Sequence, residues 1–156
     1  MANIAQTINV LQAMILTDQD KMLVTPTGYV YEMYVPHQGA QAVRTVLDAP
    51  TITFEAKGQQ LPNLSASASL QGKHLVLTLV NLHANKPLEV EIRLHGGQAM
   101  SATALLLQAD DIHAHNTFAA PTAVAPRAGI PPQLSGAALR YQLAAASITR
   151  LDVDLA

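Results

Sequence analysis

Carboxylate side chains are the first candidates for chemistry, because two carboxyl groups about 5–5.5 Å apart can hydrolyse a glycosidic bond with retention of configuration. The glutamates of the sequence are Glu32, Glu55, Glu89 and Glu91. On a strand, Glu89 and Glu91 share one face and lie roughly 6–7 Å apart. They alternate with the aliphatic residues of the run 88–92, which predicts that both carboxylates face solvent. We therefore predict no catalytic residue in this pair.

The histidines offer a second possibility. His113 and His115 form a His-x-His pattern that could present two imidazoles to a metal from one face of a strand. The nearest further ligands are Asp110 and Asp111 in an adjoining loop, so we expect hydrogen bonds to loop backbone and no metal. Ser135, His115 and Asp111 could be combined into a nucleophilic triad, but no Gly-x-Ser-x-Gly pattern supports it. Because the sequence has no cysteine, thiolate chemistry is excluded, and we expect no cofactor.

Composition restricts the possible partners. The 156 residues are 49% hydrophobic and 13% charged, with a formal net charge of −2, which argues against disorder and against a nucleic-acid partner. The apolar stretch 4–16 follows no basic segment, is interrupted by Asn9 and Gln12, and is too short to span a membrane. We therefore expect no membrane binding and no export signal, which favours a cytoplasmic location.

The long C-terminal region consists of short apolar runs between turns. Strands are predicted at 49–56, 64–70, 74–82, 88–94, 100–107 and 139–155, with a long loop rich in Pro, Ala and Gly at 110–132. Since no helical pattern follows residue 39, we predict a mainly β fold, an antiparallel, jelly-roll-like β-sandwich over 40–156. The expected core includes Val76, Leu79, Val90, Ile92, Leu94, Leu105 and Leu107.

The first region, residues 1–39, differs in character. Residues 3–10 resemble a strand, the polar residues 18–21 predict a turn, and Thr25-Pro26-Thr27 predicts the start of a helix that ends before Pro36 or Gly39. Tyr29, Tyr31 and Tyr34 have helical spacing, which favours a core or interdomain contact over sugar stacking. A β/α unit from a larger barrel would have this pattern, so we expect a domain boundary between residues 39 and 40.

Several motifs add a family resemblance along nearly the whole chain. They are Asn3-Ile-Ala-Gln-Thr-Ile-Asn-Val10, Asp20-Lys-Met22, Thr25-Pro-Thr27, Glu32-Met-Tyr34, Leu79-Val-Asn-Leu82 and Ala109-Asp-Asp-Ile-His-Ala-His-Asn-Thr-Phe118. In this order they closely resemble the family 51 glycoside hydrolases, the α-L-arabinofuranosidases. The resemblance implies that residues 1–39 are the remnant of a catalytic (β/α)₈ barrel, namely its eighth strand, a loop and the last helix, and that 40–156 form the C-terminal β-sandwich.

The same resemblance implies a substrate site that this chain contributes to only in part. The two catalytic glutamates of the family lie on earlier barrel strands, so the chain alone is expected to be inactive. Gln6, at the end of the eighth strand, is expected to hydrogen-bond the arabinofuranose at the cleavage point, where barrel enzymes hold their active sites. The intact enzyme would release terminal α-L-arabinofuranosyl residues with retention of configuration.

The sequence leaves three functions open. The chain could be an inactive C-terminal portion of an arabinofuranosidase, a free-standing carbohydrate-binding module, or a structural sandwich that supports the barrel and the oligomer, and we favour the structural role for residues 40–156. Such modules use exposed aromatic platforms, whereas this sequence has no Trp, two Phe and four Tyr.

Since the first region lacks its barrel neighbours, we expect it to be the less stable part, and to pack on the sandwich, pair with another copy or lose order. Self-association is expected.

Overall fold

Short strands make up most of the regular secondary structure of the chain. The computed structural model describes residues 3–4, 6–11, 13–54 and 58–156. In chain order the elements are β1 (Ile15–Asp18), β2 (Lys21–Val24), α1 (Pro26–Tyr34), a 3-10 turn (Val35–His37), β3 (Gln41–Ala42), β4 (Thr51–Phe54), β5 (Gln59–Pro62), β6 (Leu64–Gln71), β7 (His74–Asn81), β8 (Leu88–Arg93), β9 (Ala99–Leu107), β10 (Arg127–Ala128), β11 (Gln133–Ser135), β12 (Ala138–Leu143) and β13 (Ser147–Leu155).

Two antiparallel sheets contain most of these strands. The larger sheet has the order β10-β9-β13-β7-β6-β3, and the smaller one has the order β11-β12-β8. Two further hairpins, β1–β2 and β4–β5, stand apart from them. The strand pairs are antiparallel throughout these sheets. The predicted fold class, mainly β with antiparallel sheets, is confirmed.

The main core lies between the two sheets. Leu75, Leu77 and Leu79 project from one face of β7, because alternate residues of a strand point the same way. They pack with residues of both sheets that are at most 8% exposed, namely Val90, Ala104, Leu139, Tyr141, Leu143, Leu151 and Val153. Ile92 and Leu94 pack against this core while remaining partly exposed, in agreement with the predicted alternation of β8.

A second apolar cluster covers the opposite face of the larger sheet. Met33 of α1 is fully buried there beside Leu107 and Val124, and Leu105 packs against them. The predicted core residues therefore divide between two faces. Val76 is buried, but it lies an odd number of residues from Leu79 and so faces away from the main core.

The first region departs from its prediction in one element. Residues 3–10 were expected to form a strand, but within the described residues 3–4 and 6–10 they make only one isolated bridge, from Ile8 to Ile15. A strand needs a hydrogen-bonded neighbour along its length. The strand order of the larger sheet, β10-β9-β13-β7-β6-β3, does not include this segment. Asn9 also takes a left-handed backbone conformation, with φ of 53°, which interrupts an extended chain.

The remaining elements follow the sequence closely. Residues 18–21 form the turn between β1 and β2, and α1 begins at Pro26 and ends before Pro36. The Thr25 hydroxyl caps α1 by accepting a hydrogen bond from the Gly28 amide at 3.2 Å. Of the predicted strand 49–56, only Thr51–Phe54 is a strand, and residues 55 and 56 lie outside the described residues. The predicted strand region 139–155 is divided by a turn in which Ala146 has φ of 45°.

Gly28 lets α1 approach the loop that precedes β1. A Cβ atom at this position would lie 2.5 Å from the Met14 carbonyl oxygen and 2.7 Å from Val24 Cγ1. Glycine within a helix normally costs stability, so its presence here is explained by close contact with the Met14 carbonyl and the Val24 side chain.

We predict that Gly28→Ala lowers the free energy of unfolding by about 1–3 kcal/mol, because overpacking outweighs the gain in helix propensity. Urea denaturation of the 156-residue chain measures the effect. Gly97→Ala is the matched control, since its Cβ would meet only Leu155 side-chain carbons at 3.5 Å and beyond. Equal stability of the two variants would show that the contact at Gly28 is not tight.

Candidate functional site

Gln6 is the predicted sugar-binding residue, and the backbone that follows it is hydrogen-bonded to β1 and to the loop before it. Gln6 itself is exposed. The carbonyl of Thr7 accepts hydrogen bonds from the amides of Met14 and Ile15, at 3.0 and 3.1 Å. Two residues further on, the Asn9 side chain accepts from the Thr17 amide at 2.7 Å and donates to the Thr17 hydroxyl at 2.8 Å. These hydrogen bonds hold the loop after Gln6 against β1, and the Gln6 side chain lies at the surface.

Thr25 fastens the other side of the same loop. Its hydroxyl donates to the Ala13 carbonyl at 2.6 Å, and its amide donates to the Met14 carbonyl at 2.9 Å. The same hydroxyl oxygen caps α1 through Gly28. One side chain therefore joins the start of the helix to the loop that follows Gln6.

Asn116 connects this region to the sandwich. It is buried, and its Nδ2 donates to the carbonyls of Val24 and Val124 at 2.8 and 2.9 Å. Its Oδ1 accepts from the Val124 amide at 2.7 Å. Asn116 belongs to a motif noted in the sequence, yet sequence reasoning gave it no role. The available signal was an Asn in a long loop, where amide side chains often satisfy backbone groups.

Glu89 and Glu91 lie on the exposed face of β8, as the alternation of that strand predicts. Glu91 accepts a hydrogen bond from Arg93 Nε at 2.7 Å and from Arg140 Nη2 at 3.1 Å. These hydrogen bonds and the two positive charges lower the pKa of the Glu91 carboxyl. A carboxyl held ionised in this way is a poor general acid.

His113 and His115 make local contacts within their loop. The His113 amide donates to Asp111 Oδ1 at 2.8 Å, and His115 Nδ1 lies 3.0 Å from the His113 carbonyl oxygen. Within the part of the chain that the structure describes, no group of three or more His, Cys, Asp or Glu side chains is arranged to hold a metal ion. Ser135 is exposed on the short strand β11, and none of its hydrogen bonds within the described ranges reaches His115.

His37 ties the 3-10 turn to the outer face of the larger sheet. Its Nδ1 lies 2.7 Å from Ser69 Oγ on β6, and its Nε2 lies 2.8 Å from Thr78 Oγ1 on β7. Burial lowers the pKa of the His37 imidazole and the nearby Arg150 guanidinium lowers it further, while the Asp152 carboxylate partly opposes them. Tyr34 packs its ring against the imidazole, with 5.5 Å between the centroids.

An apolar groove of about 700 Å³ opens beside β8 at one side of the main core. It is lined by alternate residues of β6 and β7, by β8 and by the segment 43–50. No Trp, Tyr or Phe stands among its described lining residues, which are mainly aliphatic. The groove therefore lacks the aromatic platform on which sugar-binding modules usually stack their ligands.

Known proteins are similar to this chain in fold and in sequence. The alpha-L-arabinofuranosidase C-terminal domain family matches residues 1–147. An intracellular exo-alpha-L-arabinofuranosidase of Bacteroides ovatus is 33% identical over 155 residues, which cover 99% of this chain and 30% of that protein. The family 51 arabinofuranosidase structure from Xanthomonas axonopodis pv. citri has a TM-score of 0.92 and 37% identity, over 99% of this chain and 31% of its own. The family 51 enzyme AbfB of Bifidobacterium longum has a TM-score of 0.84 and 28% identity, over 96% of this chain and 30% of its own.

The two-layer antiparallel fold and these similarities define the class of the chain, a β-sandwich domain of glycoside hydrolases. More particularly, the chain belongs to the alpha-L-arabinofuranosidase C-terminal domain family. It spans about a third of the length of these relatives, 30% of the Bacteroides protein and 31% of the Xanthomonas chain. Among the described residues, no helix is long and apolar enough to cross a membrane.

His37 generates a prediction about pH. Its pKa in the folded chain is below the ordinary value of 6.5, so the folded state binds fewer protons than the unfolded state. The stability that neutral His37 contributes is present above about pH 6.5 and is lost as the pH falls below it. The groups facing it are Tyr34 on α1 and Arg150 and Asp152 on β13.

We therefore expect the urea midpoint of the unaltered chain to fall more than that of His37→Gln between about pH 7.5 and 5.5. The comparison between the two chains cancels the titration of the other histidines and carboxylates. Parallel curves for the two chains would contradict the lowered pKa of His37.

Proposed function

We propose that this chain works as the C-terminal part of a longer arabinofuranosidase, which hydrolyses terminal α-L-arabinofuranosides with retention of configuration. The main support is the match to the Bacteroides exo-alpha-L-arabinofuranosidase along 99% of this chain. In this proposal the catalytic carboxylates come from other parts of the polypeptide, because a (β/α)₈ barrel needs about 250 residues. In this arrangement residues 1–39 belong to the barrel and the sandwich begins near residue 40. The enzyme would work in the cytoplasm.

Within that enzyme, Gln6 would supply one amide to the sugar. Its exposure and the fastened backbone beside it support this role, since a binding group must be accessible and must keep its position. The sandwich would be a structural support. A carbohydrate-binding role for the isolated domain is less well supported, because none of the described residues that line the groove beside β8 is a Trp, Tyr or Phe.

The purified 156-residue chain is expected to show no hydrolysis of an aryl α-L-arabinofuranoside above the uncatalysed background, because Glu89 and Glu91 face solvent and Glu91 is paired with two arginines. The full-length polypeptide that carries this sequence should hydrolyse it. Activity in the short chain that disappears in Glu91→Gln would show that this pair is catalytic. Saturable arabinan binding by the short chain would instead favour the sugar-binding module.

Self-association is the second expectation under this proposal. Ile8, Leu11 and Met22 are exposed, and Leu11 is 95% exposed. Apolar side chains grouped in one region seldom stay bare. We expect the chain to elute as a dimer or larger species at micromolar concentration, and the double variant Leu11→Lys, Met22→Lys to shift toward the monomer.

Ile130→Lys is the matched control for that experiment, because Ile130 is 83% exposed on a loop of the C-terminal region. Size-exclusion chromatography with light scattering gives the mass directly. A monomeric unaltered chain, or an equal shift caused by Ile130→Lys, would contradict association through the first region.

A further inference from the structure

We infer that Thr25 is a positioning residue for the sugar-binding Gln6, and that Asn116 fixes Thr25 to the sandwich. The inference rests on the function proposed above, because it concerns the segment that carries Gln6. It assigns to the C-terminal domain a specific task in substrate binding, in addition to general support of the barrel.

The contacts between Thr25 and the loop after Gln6 are consecutive. Thr25 holds two successive carbonyls, through its hydroxyl to Ala13 at 2.6 Å and its amide to Met14 at 2.9 Å. The amide of Met14 in turn donates to the carbonyl of Thr7 at 3.0 Å. Thr7 directly follows Gln6, so two successive backbone hydrogen bonds connect Thr25 to the backbone beside the predicted sugar-binding residue.

Thr25 is itself held by the sandwich. The carbonyl of the preceding residue, Val24, accepts a hydrogen bond from the buried Asn116 amide at 2.8 Å. The helix that Thr25 caps is anchored by Met33, which is fully buried against Leu107 and Val124. These two attachments lie on either side of Thr25, so its backbone has little freedom to shift relative to the larger sheet.

This arrangement matters because Gln6 has few constraints of its own. It is exposed, and no regular strand of the described chain includes it. A binding group gives affinity only where it is pre-organised, and a displacement of about 1 Å can cost roughly 100-fold in rate. The position of the Gln6 amide therefore depends on the bonds of Thr7, and those depend on Thr25.

Three variants separate the two roles of the Thr25 hydroxyl. One is its bond to the Ala13 carbonyl, called the clamp here, and the other is the cap of α1. Thr25→Ser keeps a hydroxyl that can donate to Ala13 and accept from Gly28. Thr25→Asp keeps an acceptor for the Gly28 amide but cannot donate to the Ala13 carbonyl, so it retains the cap and loses the clamp. Thr25→Val loses both functions at nearly the same volume.

Amide hydrogen exchange of the 156-residue chain, followed by NMR, is the first test. In Thr25→Asp and Thr25→Val, the amides of Met14 and Ile15 should exchange roughly tenfold faster, as expected for one lost hydrogen bond. Thr25→Ser should restore their protection, and the amides of Leu77 and Leu151 in the larger sheet should not change. Unchanged exchange at Met14 and Ile15 in Thr25→Asp, with the chain folded, would overturn the inference.

Kinetics of the full-length polypeptide are the second test. For an aryl α-L-arabinofuranoside, Thr25→Asp should raise KM by about fivefold to tenfold, in the same direction as Gln6→Ala, and Thr25→Ser should restore it. A purely structural role would lower the active fraction and leave KM unchanged. A raised KM in Gln6→Ala with an unchanged KM in Thr25→Asp overturns the positioning role and leaves the proposed function intact. Absence of hydrolysis by the unaltered full-length protein overturns the proposed function. An unchanged KM in Gln6→Ala overturns the role of Gln6. Either result overturns the positioning role as well.

Discussion

The structure depends on the burial of β7 from both sides. Residues Leu75–Leu79 of this strand are all buried, on the face toward the smaller sheet and on the opposite face, where His37 of the 3-10 turn bonds Thr78. A strand with one solvated face alternates apolar and polar residues, whereas the run Leu-Val-Leu-Thr-Leu needs cover on both sides. The smaller sheet provides the inner cover. The helix α1 and the 3-10 turn provide part of the outer cover, so these two elements pack on the larger sheet.

The two covers use different chemistry. The inner one is made of aliphatic side chains from both sheets and is non-directional. The outer one combines the buried Met33 with polar side chains that bond specific partners, His37 to two strands and Asn116 to two segments. Burial alone would let α1 slide along the sheet, and these directional bonds fix its position. The position of α1 on the sheet also sets the position of Thr25, which bonds the carbonyls of Ala13 and Met14 in a loop more distant from the core.

Local sequence patterns predicted much of the fold, but they predicted few of the hydrogen bonds that join the first region to the sandwich. The alternation of residues 88–94 gave the facing of β8, and Thr25-Pro26 gave the start of α1, because both depend only on neighbours in sequence. The segment 3–10 was predicted as a strand because composition shows strand propensity and cannot show whether a pairing partner exists. The bond from Asn116 to Val24 joins residues 92 positions apart, and a single sequence carries no local pattern for it. The proposed role of Gln6 came from the resemblance, and the hydrogen bonds of Thr25 to the loop after Gln6 came only from the structure.

Native-state hydrogen exchange in increasing urea tests most directly whether α1 is a layer of the sandwich. An isolated helix of nine residues is marginal in water, so α1 persists only through its packing on the sheet. If the helix and the sheet form one cooperative unit, the amides of Val30 and Met33 should open with the same free energy as those of Leu77 and Leu151, within about 1 kcal/mol. Opening of the helix several kcal/mol below the sheet, in a separate step with a smaller dependence on urea, would contradict the two-sided burial of β7 as the basis of this fold.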